Sequence, residues 1–307
     1  MDTLFLDSFV AVIDHGSIAE AARRLNLTPA AVAQRIRTLE HEIGSPLVVR
    51  SGRTVRATAS GAAILGRARG FLRDVRDLKA IAAGDRPAGE LRLGAMPTAI
   101  TGLLPDILTL MAERYPKIEV HITRDTSAVL YRRVQVDELD AAIIVRPPFP
   151  MSKAYGWQEL REEPLVVLTP ASMRVRDPRL VLARHPYIRL DPKTWAGHLV
   201  DCYLRKARIR TQERFELGDL EAIAVMVDRG LGVSLVPDWA PPWPENLLLR
   251  KLPVRGRSFS RRIGLAWSRA TVRLRLVEAF LEQAKAAAAG ERAGRPRPSR
   301  PHRAGGG

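Results

Sequence analysis

Apolar side chains recur at Leu4, Phe5, Phe9, Val12 and Ile13, a spacing that predicts a helix running to about His15 and ended by Gly16. Ser17 and Glu20 form a capping-box pattern, with the hydroxyl capping the Glu20 amide and the carboxylate reaching back. A short second helix should follow, with Ala21, Ala22 and Leu25 turned inward. Thr28-Pro29 opens a third helix, because threonine is a good N-cap and proline suits the first helical position. Val32, Ile36 and Leu39 give its inward stripe, which leaves Pro29, Ala30, Ala33, Gln34 and Arg37 facing out. After Gly44, LVVRSGRTVRAT reads as two short strands around the turn Ser51-Gly52-Arg53, a wing with arginines near its tip.

The pattern changes from about Ala59 to Ala83. Ile64, Ala68, Phe71, Val75, Leu78 and Ala82 alternate in steps of four and three, a heptad seam suited to pairing with a second copy of the same helix. Packing on its own chain is the alternative. Residues 84–89, GDRPAG, read as a hinge. From 90 to 285, strand-like runs (ELRLGA, IEVHITR, LDAAIIV, PLVVLTP, PYIRL, GVSLVP, RRIGLAWS) alternate with helical ones such as TGLLPDILTLMAERYP and DLEAIAVMVDRG. Repeated βα units predict a parallel-rich α/β sheet with helices on both faces, long enough for two lobes. The stretch 286–307 is dense in Gly, Pro and Arg and should be a disordered basic tail.

Composition sharpens this only in part. Lys and Arg total 49 against 33 Asp and Glu, a net charge of +16, which favours a polyanionic partner without naming it. Cys202 is the single cysteine, so no internal disulfide is expected. The first residues, MDTLFLDSFVAVIDHG, carry no basic segment before their apolar ones, and no run approaches the length of a membrane span. A cytoplasmic protein with no membrane partner is expected. The six histidines lack metal-ligand spacing, and no Walker loop, dinucleotide fingerprint or nucleophile elbow is present. Neither a cofactor nor an enzyme activity is therefore expected.

The first 66 residues closely resemble the LysR-type transcriptional regulators. The carriers are Gly16-Ser17, Ala21-Ala22, Thr28, Leu39-Glu40, Ile43-Gly44, Leu47-Val48-Val49-Arg50 and Thr58-Ala59-Ser60-Gly61. The second half matches more loosely through LRLGA, LLPDI, ERYPKIEV, ELDAAI, PLVVL and DRGLGVSLVPD. The departures are Pro29, where the family usually has Gln, Ala33, where it has Ser, and Val48 for the usual Phe.

The resemblance implies an N-terminal all-α winged helix-turn-helix over 1–58, a dimerisation helix and hinge over 59–89, and an effector-binding domain over 90–285. That domain would have the α/β two-lobed fold of periplasmic binding proteins, with one lobe at about 90–161 and 266–285 and the other at about 162–265. The expected partners are double-stranded DNA bearing an interrupted inverted repeat, a small-molecule effector, and a second or fourth copy of the chain. Gln34 can pair with adenine and Arg37 can reach guanine or phosphate, while Ala30 and Ala33, beside Pro29, offer methyl contacts to thymine. Thr28 at the helix start suits a phosphate, and Arg50 and Arg53 suit a narrow minor groove. For the effector, strand ends and helix N-termini favour an organic anion. The candidates are Thr98 (the family's ligand-contacting Ser/Thr position), Ala99, Thr126, Ser127, Arg146, Asp191 and Gly218. Thr98 and Ser127 would equally serve as helix caps, and Arg146 as half of a structural ion pair. A solute-binding receptor and a prephenate-dehydratase-like enzyme share the two-lobed fold and stand as alternatives.

Overall fold

Asp2 begins the first helix, its Oδ1 accepting the Leu4 amide at 2.9 Å. The computed structural model describes residues 2–52, 54–82, 87–254 and 259–294. They form two compact units, Met1–Glu90 and Leu91–Gly307.

The first unit contains α1 (Thr3–His15), α2 (Ile18–Arg24), α3 (Pro29–Ile43), the hairpin β1 (Val48–Ser51) and β2 (Thr54–Ala57), and α4 (Ala59–Ala82). Phe9, Val12, Ala22, Val32, Ile36 and Leu39 are buried at its centre. Gly16 and Gly44 adopt positive φ and end α1 and α3. Ser17 caps α2 by accepting the Glu20 amide at 3.4 Å. The return half of that capping box is absent among the described bonds: the Glu20 carboxylate pairs with Arg23 and Arg24 instead.

The motif spacings of this unit have local causes. Glu40 Oε1 accepts the amides of Leu47 at 2.7 Å and Val48 at 3.1 Å, which docks the start of the wing on α3. Thr58 donates to the Pro46 carbonyl at 2.6 Å and accepts the Gly61 amide at 3.0 Å. A Cβ on Gly61 would lie 2.1 Å from the Leu47 carbonyl oxygen, so no larger residue fits. The predicted α4 seam divides. Ala68 is buried, and Ile64 packs with it against the core formed by Leu6, Phe9 and Leu39. Phe71 and Leu78 are left 48% and 65% exposed.

The strand β3 (Gly89–Ala95) leads into the second unit, so the predicted hinge ends earlier than expected; residues 84–86 of it lie outside the described residues. Next come α5 (Pro97–Gly102) and α6 (Leu104–Arg114), where a single helix was predicted. Pro105 has no N–H to continue the ladder of α5 and suits the first turn of a new helix, so the break falls at Leu103. Then follow β4 (Ile118–Arg124), α7 (Ser127–Gln135), β5 (Ala141–Val145), β6 (Tyr155–Pro170), α8 (Pro178–Arg184), β7 (Pro186–Leu190) and α9 (Trp195–Ala207). The unit closes with β8 (Gln212–Leu217), α10 (Leu220–Asp228), β9 (Ser234–Pro237), β10 (Leu249–Pro253), β11 (Ser260–Ser268) and α11 (Leu274–Gly294).

The sheet is mixed, not parallel-rich. Its order is β10-β6-β11-β5-β3-β4, with β9 also on β6. β3 pairs β5 in parallel, but β11 runs antiparallel to β5 and β6, and β9 and β10 run antiparallel to β6. β7 and β8 form a separate parallel pair. The long strand β6 belongs to both lobes: residues 155–164 pair β11, and 165–170 pair β9 and β10. All of β11 sits in the first lobe, so the expected boundary at 265/266 moves back to before Ser260. Each lobe has its own core, one around Leu93, Ile107, Ile143 and Phe280, the other around Tyr187, Ile188, Val200 and Trp239. The helix α11 continues to Gly294, past the start expected for the tail; residues 295–307 lie outside the described ones.

Candidate functional site

Two surfaces collect the predicted residues. On α3, Thr28, Pro29, Ala30, Gln34 and Arg37 are exposed and Ala33 is half-buried, while Val32, Ile36 and Leu39 are buried on the opposite side. Thr28 caps the helix through the Ala31 amide at 3.2 Å. Arg37 Nη2 donates to Gln34 Oε1 at 2.6 Å, so the two longest polar side chains of this face meet. Arg50 is exposed on β1, and Arg53 lies outside the described residues. A convex helix face with a short cap, a methyl patch and a Gln–Arg pair has the dimensions and donors to enter a major groove.

In the second unit a cavity of about 350 Å³ opens between the lobes. The first lobe contributes Thr98, Ile100, Thr101, Thr126, Ser127 and Arg261, and the second contributes Asp191, Thr194, Trp195, Gly218, Asp219 and Leu220. Of the predicted effector residues, Thr98, Thr126, Ser127, Asp191 and Gly218 therefore come together. Ala99 does not: it is fully buried in the first lobe's core, and its neighbours Ile100 and Thr101 face the cavity. Arg146 does not either. It is exposed, its amide donates to the Arg262 carbonyl at 2.8 Å, and it is not part of the cavity lining.

The buried cation at the cavity is Arg261, only 3% exposed. It lies on β11, its Nε donates to Glu163 Oε2 at 2.7 Å, and its Nη2 reaches Thr98 Oγ1 at 3.2 Å. Glu163 also accepts the Ala240 amide at 3.1 Å and lies 3.3 Å from Arg161. A guanidinium is costly to bury unless it is paired, and this network supplies the pairing. Neither candidate hydroxyl is a helix cap. Thr98 serves Arg261, and Ser127 Oγ accepts the Val145 amide at 3.0 Å. Arg124, at the end of β4, lies 3.9 Å from Asp219 at the start of α10, so this exposed pair spans the two lobes. Trp195 begins α9 in the second lobe and meets Tyr131 and Phe149 of the first, ring centroids 6.1 and 5.8 Å apart. Burial raises the Tyr131 phenol above its ordinary value, with a smaller contribution from Tyr155, so it stays neutral.

Sequence reasoning passed over Arg261 because it reads as part of a basic strand start, RRIGLAWS. Alternation held the signal: Arg261 shares a strand face with the buried Ile263. Asp219 carries a helix-start signature in Asp-Leu-Glu, and its Oδ1 accepts the Ala222 amide at 2.9 Å.

Residues 5–62 match the family model for the bacterial regulatory helix-turn-helix protein, lysR family, and residues 84–289 match the LysR substrate binding domain. The chain is a LysR-family transcriptional regulator. Among curated relatives, it is 33% identical to the HTH-type transcriptional regulator IlvR of Caulobacter vibrioides, over 77% of this chain and 82% of that one. It is 31% identical to CzcR of Bacillus cereus, over 78% and 81%. In fold it is similar to full-length CbnR in complex with its target DNA (TM-score 0.67, 22% identity, 94% and 100% covered). It is also similar to a full-length OxyR variant from Pseudomonas aeruginosa (TM-score 0.66, 23% identity, 93% and 95% covered). As a LysR-family member it is a DNA-binding regulator and not an enzyme. This sets aside both the solute receptor and the dehydratase-like enzyme. Among the described residues no helix is long and apolar enough to cross a membrane.

Proposed function

We propose that this regulator reads an interrupted inverted repeat in cytoplasmic DNA as a homodimer joined through α4, and that a small carboxylate-bearing effector in the interlobe cavity sets its activity. Pairs of dimers would account for a tetramer. For the dimer, the support is the exposed Phe71 and Leu78 on a helix whose earlier seam positions are already packed. For DNA, the support is the outward face of α3, with Arg50 on the wing.

The observation that carries the effector reading is the buried guanidinium of Arg261 beside Thr98 at the cavity. A carboxylate can take hydrogen bonds from such a pair where water has little access. Arg261 thus takes the role expected of Arg146. A ligand gripped by both lobes favours the closed form only by its extra affinity for that form, and the closed form must hold the DNA-binding units differently. Titration calorimetry of the full chain with small carboxylic acids tests this. Binding that falls at least tenfold in Thr98→Val is expected, while neutral or purely cationic ligands as the sole binders would contradict it.

A further inference from the structure

We propose that the effector is a small zwitterion, a carboxylate and an ammonium on one short frame as in an α-amino acid. This rests on the reading of the cavity as the effector site. The charges lining the cavity are divided between its walls. The first lobe presents the cations Arg124 and Arg261, and the second presents the carboxylates Asp191, Asp219 and Glu221, with Lys193 beside them. Cations and carboxylates thus number three each, and the lining carries no net charge. A simple anion would meet Arg261 on one side and a wall of carboxylates on the other. A ligand with opposite charges at its two ends satisfies both walls at once.

The geometry around Asp191 favours it as the ammonium partner. It is half-buried, and its Oδ1 is held by the Lys193 amide at 2.8 Å. A Cβ on Gly218 would lie 3.9 Å from the Asp191 Oδ2, in ordinary contact, so the glycine leaves that side of the carboxylate free of a side chain. Asp219 is committed differently, through the cap on Ala222 and the approach of Arg124. Between the charged walls lie Ile100, Trp195 and Leu220, which suit a short apolar substituent. In the bound state the carboxylate faces Arg261 and Thr98, and the ammonium faces Asp191. Each lobe then holds one end, and the ligand ties the lobes together.

The test is titration calorimetry of the full chain with the common L-α-amino acids and, for each, the acid lacking the amino group. At least one amino acid should bind, with its deaminated acid weaker by about tenfold or more, the scale of one lost charge-assisted hydrogen bond. Asp191→Asn keeps the Oδ1 acceptor for Lys193 and should erase that preference, while Thr98→Val weakens both members of the pair. A deaminated acid that binds as tightly as its amino acid overturns the zwitterion and leaves the cavity reading standing. Binding unchanged in both variants overturns the cavity reading itself. If no amino acid binds, the zwitterion is overturned, and the plain acids then decide the cavity.

Discussion

Arg37 Nη2 donates to Gln34 Oε1 at 2.6 Å on the outward face of α3. The pair holds a planar fork and an amide side by side before any DNA arrives. The two residues should therefore act together. Gln34→Ala should cost about 1–3 kcal/mol at one base pair and leave affinity for random DNA unchanged. A double-mutant cycle with Arg37→Ala, measured by fluorescence anisotropy, should show a coupling of about 0.5 kcal/mol or more. Strict additivity would mean that the pair does not persist on DNA.

Arg50 is exposed on β1, where a guanidinium can reach a phosphate or the minor groove. Arg50→Ala should weaken binding to specific and random DNA alike and reduce the salt slope by about one. An unchanged slope would place Arg50 away from the phosphates.

Gly61 leaves no space for a methyl group, since its Cβ would meet the Leu47 carbonyl at 2.1 Å. A backbone oxygen cannot rotate away as a flexible side chain can. Gly61→Ala should destabilise the first unit by about 1–3 kcal/mol, the usual cost of overpacking. Urea unfolding followed by circular dichroism would read it, and an unchanged midpoint would contradict the packing.

Much of the first unit was legible in the sequence because its signals are local. Caps at Ser17 and Thr28, positive-φ glycines at 16 and 44, and a helical stripe through Val32, Ile36 and Leu39 each depend on residues a few positions apart. The second unit was less legible because its determinants are distant in sequence. The first half of β6 was missed because Glu159, Arg161 and Glu163 look like surface residues, although Arg161 and Glu163 are buried and Glu163 pairs with Arg261 on a strand about a hundred residues away. The same long-range pairing concealed Arg261, the cavity's buried cation. Arg146 stands at a strand end, which made it the obvious candidate, yet the lobe boundary runs through β6 and falls just before β11, and that brings Arg261 to the cavity instead.

Phe71 and Leu78 remain exposed on α4, whereas Ile64 and Ala68 of the seam are packed on the core. Replacing both with Glu should shift sedimentation toward the monomer at concentrations where the unaltered chain is dimeric. Ala68→Glu is a different change: it should unfold the first unit, because Ala68 is buried against Phe9 and Leu39. An unchanged sedimentation coefficient in the double variant would assign dimerisation to another surface.

Base reading by α3 is open to selection of genomic fragments with the purified chain, followed by anisotropy on the recovered site. The recovered site should hold an interrupted inverted repeat and be bound at least about a thousandfold more tightly than a scrambled duplex at physiological salt. The preference should collapse in the Gln34→Ala, Arg37→Ala double variant. Equal affinity for the recovered and scrambled duplexes, or a preference that survives the double variant, would contradict it.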